Sequence, residues 1–568
     1  MVKIKKEYIF LITILISGFI LRIWGIDFGL PYQFHQDEQI VVNHALAYGS
    51  GDFNPHFFAI PPLTSYLLFI IYGIYFILGK LFGMFHTAED FALSFFKDPS
   101  MFYLLGRLFI GVIPGTLCII FTYRLYKKIF ISISGAIFAC AIIAFSFLNI
   151  ADSHYIYTDM LMSLFIILSM LQIMKMYNLP SFRNYLFAGA LMALAVAVKY
   201  NSAIIIISFC IAHTTIVKEK REKFFNIKLF SSIFTAAAII FITNPFAILD
   251  FKFFLSAMLK QGGAESYTGW LHHFNYSLCE SIGLPLSVFG FAGLILILSK
   301  DIHKGMVFLS FPFLFYLHLV FFSQRFPRYV LPLMPFFAVG AAYFIFEYLF
   351  CKVKYNFFKT IIVLIVFLLF IPLFIKAIKA DRLFASSDTR VAAANWIKAN
   401  LKLTDKIAVD HTFFRPAIIQ NEEQLKEKYA VIGKEYALKA IKDKKFKLVL
   451  EAQKQTKGYY LYFLSSEPQD QGQFLATLPA LPFDMHILKN KGIDYVVINY
   501  SDRQTETESF YQNLKDNAEL IVSFSPYNDN SVRYSYDTVA TTSLSLLSKE
   551  IFSRKKTGPA LEIYKLNK

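Results

Sequence analysis

Apolar runs of membrane length recur along the first two thirds of this chain, and they restrict its fold more than any other feature. They fall near 7–25, 103–123, 130–150, 159–177, 185–199, 202–217, 229–246, 283–299, 305–322, 329–349 and 358–378. A helix rises about 1.5 Å per residue, so runs of this size are long enough, or nearly so, to cross a hydrocarbon core of about 30 Å. Lipid offers no partner for backbone polar groups, and a helix satisfies them within one segment. The expectation is a polytopic α-helical membrane domain of about eleven spans. Composition points the same way, because 568 residues that are 56% hydrophobic and only 17% charged do not make one soluble globule.

The placement of charge sets the expected orientation. The formal net charge is +16, and Lys and Arg gather in short runs between apolar segments, as in loops that face the cytoplasm and anionic lipid. No soluble basic module accompanies them, which argues against nucleic acid as a partner. The segment 62–84 is apolar enough to be a further span. If it does not cross, Arg124/Lys127/Lys128, Lys175/Arg183, Lys218 to Lys228, Lys300/Lys304 and Lys352/Lys354/Lys359 share the cytoplasmic side with Lys3, Lys5 and Lys6. If it crosses, all of them flip outside. The asymmetry therefore puts 62–84 at the outer interface, as a helix or re-entrant pair, and makes 26–102 one long external loop. No small-residue cleavage site follows the run from Tyr8 to Ile23, which reads as an uncleaved first span rather than a secretory signal. Cys118, Cys140, Cys210, Cys279 and Cys351 show no paired spacing and imply neither a disulfide framework nor a zinc site.

The stretch Phe34-His35-Gln36-Asp37-Glu38-Gln39-Ile40 sets two adjacent carboxylates just past the first apolar run. Apolar positions recur at helical spacing from Val41 to Tyr48, which predicts a short helix on the membrane surface with Asp37 and Glu38 at its N-terminal end, where the helix dipole tolerates anions. Acids also begin many ordinary solvated helices, so context has to decide. On the topology above, Asp152, His154 and Asp159, then Lys199 and Asn201, then Gln261 to His273, then Arg325 and Arg328, all reach the same face as Asp37 and Glu38. Ionisable residues at span ends are costly near lipid unless they line a polar cavity, so this convergence is a functional-site signal.

From residue 380 the composition changes: charges become frequent and apolar runs shorten to strand length. A helical stretch with Thr389, Val391, Ala392, Trp396 and Ile397 leads into the strand pattern Lys406 to Asp410. Strand-like Tyr459 to Leu464, a helix ending at Gly492, strand-like Tyr495 to Ile498 and a closing strand Ala560 to Leu566 follow. The expected division is a transmembrane domain over 1–379, containing the external loop 26–102, and an extracytoplasmic α/β domain over 380–568. That domain contains no Gly-rich nucleotide loop, and the chain shows no internal repeat.

Several short motifs then carry a resemblance. They are the acidic pair, Asn54-Pro55-His56-Phe57-Phe58 with Pro61-Pro62-Leu63, Gly106-Arg107-Leu108 opening a span that ends in Tyr126-Lys127-Lys128, and His154 with Asp159. Lys199-Tyr200-Asn201, Asn244-Pro245-Phe246, Arg328-Tyr329-Val330-Leu331-Pro332-Leu333-Met334-Pro335, Asp388-Thr389-Arg390 and Gly558-Pro559 complete the set. In this order they resemble the multi-span glycosyltransferases of the GT-C type that use polyprenyl-phosphate sugars, the group of protein O-mannosyltransferases and the lipid A aminoarabinose transferase.

The resemblance implies a donor that is a polyprenyl-phosphate sugar, an acceptor that is a protein, lipid or glycan, and a plasma (inner) membrane enzyme with its site on the extracytoplasmic side. It gives Asp37 the role of catalytic base with Glu38 as neighbour. A sugar hydroxyl attacks poorly until a base takes its proton, whereas phosphate leaves without an acid, so one base suffices for an inverting displacement. Charge building on the leaving phosphate calls for cations, and the candidates are Arg107, Lys199, Arg325 and Arg328, each of which reads equally as a snorkelling residue at a span end. The aminoarabinose transferase has Lys before Pro-Pro-Leu where this chain has Ile60, and His56 or Lys199 is the expected replacement. Asp159, His154 and Asn201 are expected in the same cavity; ordinary interfacial roles compete for His154, His272 and His273. No cofactor is expected. A divalent cation held by Asp37, Glu38 and Asp159 is the minor alternative, since hard cations want several oxygen ligands. The rival reading from another class is a transporter or flippase of lipid-linked sugars, which tends to show paired repeats and helices broken at mid-membrane.

Overall fold

The computed structural model describes residues 6–261, 270–321, 325–410, 415–432, 439–453, 458–465, 479–499, 505–529 and 550–567. It divides into two compact units. The first comprises Met1–Ile26, Asp37–Gly73 and Tyr103–Asp381; the second comprises Asp27–Gln36, Ile74–Phe102 and Arg382–Lys568. The sheet-bearing unit thus starts close to residue 380 but also takes in two pieces of the 26–102 stretch.

Each of the eleven apolar runs is helical, but they do not become eleven equal spans. Among the described residues seven helices are long and apolar enough to cross a membrane, or up to nine if two bent pairs count as one span each. The runs near 185–199 and 229–246 form helices of 17 residues, Phe182–Val198 and Ile227–Thr243, and the first run forms Lys6–Ile23. Run 62–84 takes the first of its two expected forms: it is one continuous helix, Leu63–Leu81, of 19 residues, which by length and composition is also among the helices able to cross a membrane.

Both bends have local causes. Run 130–150 breaks at Ser146, whose extended backbone ends Ile133–Phe145 and whose hydroxyl accepts from Asn149 N to cap Phe147–Ser153, with a turn of 54°. Before Leu284–Lys300 the chain turns by 112° at Gly283, which has φ 84, a conformation that favours glycine. The long helix Ser100–Ile129 carries a π-helical turn at Arg107–Val112 and presses against the end of Phe147–Ser153. A Cβ on Gly111 would lie 2.2 Å from the Ser153 carbonyl oxygen, and one on Gly115 2.2 Å from its hydroxyl. Only glycine permits this approach, and the approach fixes where Asp152, Ser153 and His154 stand.

In the second unit six strands form one sheet in the order β3-β2-β1-β4-β6-β5, where β1 is Lys406–Val409, β2 Tyr460–Leu464, β3 Ala480–Leu481, β4 Tyr495–Ile498, β5 Ala518–Phe524 and β6 Leu561–Leu566. β1 to β4 run parallel, and β6 is antiparallel to β4 and β5. Alternate residues serve two cores: Ile407, Val409 and Val497 pack with Ala393, Ala394 and Ile397, while Ala408, Val496 and Ile498 pack with Leu488, Phe510 and Leu514. The Asp388-Thr389-Arg390 and Gly558-Pro559 motifs meet here. Thr389 Oγ1 donates to the Pro559 carbonyl at 2.7 Å, and Arg390 is held by Asp388 and stacks on Phe34 at 3.7 Å.

Candidate functional site

The helix after the first apolar run begins at Gln36 and ends at Ala47, so Asp37 and Glu38 stand in its first turn as expected. Successive helix residues point about 100° apart, and the two carboxylates serve different partners. Glu38 is fully buried. Its oxygens accept from Arg107 Nε and Nη2, both at 2.9 Å, and Oε1 also accepts from Ile156 N at 3.1 Å. Arg107 Nη1 donates to the Ile26 carbonyl at 2.7 Å, and both side chains of this pair are 0% exposed. Both expected site residues are thus engaged with each other, Arg107 with an internal carboxylate and Glu38 with that guanidinium and a backbone amide.

Asp37 is 26% exposed, and its Oδ2 accepts from Arg328 Nη2 at 2.8 Å. Arg328 Nε lies 3.6 Å from Asp159 Oδ2, and Asp159 Oδ1 accepts from Lys199 Nζ at 2.7 Å. Charges therefore alternate along Asp37, Arg328, Asp159 and Lys199. Four separate parts of the chain supply them: the Gln36 helix start, the 3-10 turn Pro327–Leu333, the first turn of Thr158–Asn178, and the residue that ends Phe182–Val198. Aromatic faces hold the cations. Arg328 lies 4.7 Å from the Tyr157 ring centre and 4.6 Å from that of Phe326, and Lys199 lies 4.8 Å from that of Tyr329. Burial pushes the Tyr157 phenol upward, so it stays protonated beside them.

The other expected residues divide. His154 is fully buried between the carbonyls of Ile150 (2.9 Å) and Trp24 (3.0 Å), and burial holds its pKa down to about 4. In its neutral form the ring donates to only one of these two carbonyls. Asn201 lies in the 3-10 turn Tyr200–Ile204 directly after Lys199, and its buried Oδ1 meets no partner. His56 has φ 46, and its Nε2 is 2.9 Å from Asp52 Oδ2; that pairing does not join it to the Asp37 chain. Arg325 precedes the turn that carries Arg328, and its charge acts on His273. His273 is buried and bonded to Ser277; the part of the expected Gln261 to His273 group at 262–269 lies outside the described residues.

The three carboxylates considered for a divalent cation each have a cationic partner in this structure. Glu38 is taken by Arg107, Asp37 by Arg328 and Asp159 by Lys199, and among the described residues no three His, Cys, Asp or Glu side chains are placed to hold a metal. Sequence reasoning missed Tyr157 as a wall of the site. Its only signal is a tyrosine between two unusual acids, Asp152 and Asp159.

Residues 93–246 match the family model described as dolichyl-phosphate-mannose-protein mannosyltransferase. No curated protein sequence matches this chain. Among solved structures, an Archaeoglobus fulgidus oligosaccharyltransferase is 14% identical with a TM-score of 0.48, over 99% of this chain and 89% of that one. ArnT from Cupriavidus metallidurans is 11% identical with a TM-score of 0.47, over 90% and 96%. The S. cerevisiae protein O-mannosyltransferase Pmt1-Pmt2 complex is 17% identical with a TM-score of 0.30, over 48% and 36%. At these values the structural likenesses carry no residue-level argument. Over the 93–246 stretch, which supplies Asp152, Asp159, Lys199 and Asn201, the chain is similar to dolichyl-phosphate-mannose-protein mannosyltransferases, within the glycosyltransferases its motifs already resembled.

Proposed function

We propose that this chain is an integral membrane glycosyltransferase that moves a monosaccharide from a polyprenyl phosphate to an acceptor hydroxyl on the extracytoplasmic side. The observation that carries the reading is the partly exposed Asp37 bonded to Arg328, in line with Asp159 and Lys199, within a unit built of apolar helices. The family match over residues 93–246 supports a lipid-phosphate sugar as donor.

In this reading Asp37 accepts the proton of the acceptor hydroxyl while the oxygen forms its bond to the sugar's anomeric carbon. The bond from that carbon to the phosphate oxygen breaks, and the electron pair leaves on phosphate, where Arg328 and Lys199 balance the charge. Displacement from the opposite face inverts the anomeric configuration. A phosphate competes directly with the Asp37 carboxylate for Arg328, so donor binding would loosen the 2.8 Å contact between them. No step calls for a metal ion. The sheet-bearing unit is the candidate for acceptor selection.

A lipid-linked-sugar flippase gains one point from the structure, since the two bent helix pairs supply breaks that the apolar pattern did not suggest. The test separates the readings. Purified protein in bilayer nanodiscs is given polyprenyl-phosphate mannose, glucose, galactose or xylose with an envelope extract as acceptor. A transferase releases polyprenyl phosphate and labels an acceptor, whereas a flippase moves the donor across the bilayer with its bond intact.

A further inference from the structure

Buried polar atoms in folded proteins nearly always have a partner, and those that lack one call for an explanation. Beside the Asp37–Lys199 chain three buried oxygens have none: Asp152 Oδ2, Thr158 Oγ1 and Asn201 Oδ1. Asp152 is the telling one. It is 6% exposed and within electrostatic range of Arg328, Asp159, Lys199 and Asp37, yet the two cations are spent on Asp37 and Asp159. A desolvated carboxylate left this way is costly unless a hydrogen-bond donor arrives from outside the protein.

We propose that Asp152, with Asn201, forms a subsite that reads hydroxyl groups on the sugar of the donor. The inference rests on the donor reading above and adds the chemistry of recognition. Asn201 Oδ1 is a carboxamide oxygen that can only accept, so its missing partner must donate. Phosphate oxygens and hydrocarbon cannot donate, whereas sugar hydroxyls can. Position agrees. The anomeric carbon is bonded to the phosphate oxygen, so a phosphate held by Lys199 and Arg328 brings the ring hydroxyls within one ring's width of those cations. Asn201 is two residues beyond Lys199, and Asp152 lies within electrostatic range of both cations. Rigidity agrees too, because Ser153, next to Asp152, is backed at its carbonyl and hydroxyl by Gly111 and Gly115. Sites built to hydrogen-bond a substrate hydroxyl reject analogues that lack it far more strongly than apolar pockets reject a methylene.

The test uses the full-length protein in nanodiscs. Turnover is compared for the polyprenyl-phosphate hexose that wild type transfers fastest and for its monodeoxy analogues, and binding of polyprenyl phosphate without sugar is measured alongside. Wild type should disfavour at least one deoxy donor by at least about a hundredfold. Asp152→Ala should bring that ratio to within about threefold of unity, with binding of bare polyprenyl phosphate unchanged. Asn201→Ala provides the same readout if Asp152→Ala does not accumulate. If the variants keep the wild-type ratio, the orphaned oxygens hold only water and the subsite is refuted. Equal loss of bare polyprenyl-phosphate binding would also refute it, because Asp152 would then act through the cations. Wild type that binds polyprenyl phosphate but transfers no sugar would overturn the transferase reading itself.

Discussion

Removing the Arg107 guanidinium should damage folding before it damages donor use. Glu38 and Arg107 are both 0% exposed and joined by two hydrogen bonds of 2.9 Å, and Glu38 also takes the Ile156 amide at 3.1 Å. Arg107→Ala leaves a buried carboxylate with one remaining donor, and Glu38→Gln leaves a buried guanidinium facing an amide. Breaking a buried pair from one side costs about 3–5 kcal/mol, a large share of the roughly 5–15 kcal/mol that holds a domain folded. Removing both charges in Glu38→Gln/Arg107→Met should cost less than the sum of the single changes by about 1–3 kcal/mol. Thermal unfolding of the purified proteins in one detergent, followed by intrinsic fluorescence, reads both effects as apparent midpoints. An Arg107→Ala protein that melts with wild type and differs only in a raised donor KM would refute this and restore Arg107 as a phosphate ligand.

Arg328→Lys keeps the charge but loses the planar fork that spans Asp37 and Asp159, so donor KM should rise by about tenfold or more while Arg328→Ala does worse; steady-state donor titrations measure both. Gly111→Ala forces a Cβ to within 2.2 Å of the Ser153 carbonyl oxygen, and should lower both the melting midpoint and turnover by displacing Asp152. His154 has its pKa lowered by burial from 6.5 to about 4, so the unfolded chain binds the extra proton between those values. Stability from this group is present above pH 6.5 and is lost as pH falls toward 4, and His154→Asn should flatten that part of a melting-versus-pH curve.

Much of the fold was legible because its signals are long and local. Apolar length marked the long helices of the first unit but not Phe251–Gln261, and alternating or buried apolar runs marked β1, β2, β4 and β6. β3 has only two residues, too few for a pattern, whereas the edge strand β5, Ala518–Phe524, carries Leu520-Ile521-Val522 and was passed over. For 62–84 the apolar pattern left a single helix and a re-entrant pair open, and the continuous helix Leu63–Leu81 decides between those two forms. The bends at Ser146 and Gly283 rest on one residue each. In the site, Asp37, Asp159, Lys199 and Arg328 stood out as charges at span ends. An arginine there reads the same whether it meets lipid phosphate or an internal acid, and the partner that decides for Arg107 lies 69 positions away. Orphaned oxygens such as Asp152 Oδ2 have no signature in sequence at all.

The central claim is that Asp37 takes the proton of the attacking hydroxyl. Its most direct test is the single-turnover rate of purified Asp37→Asn with saturating polyprenyl-phosphate sugar and acceptor. The carboxamide keeps the shape of the side chain and a contact for Arg328 but cannot accept the proton, and loss of a positioned base typically costs about 10²–10⁴-fold. Transfer should therefore slow by at least about a hundredfold while donor binding persists. A near-normal rate would contradict the account and turn attention to Asp159.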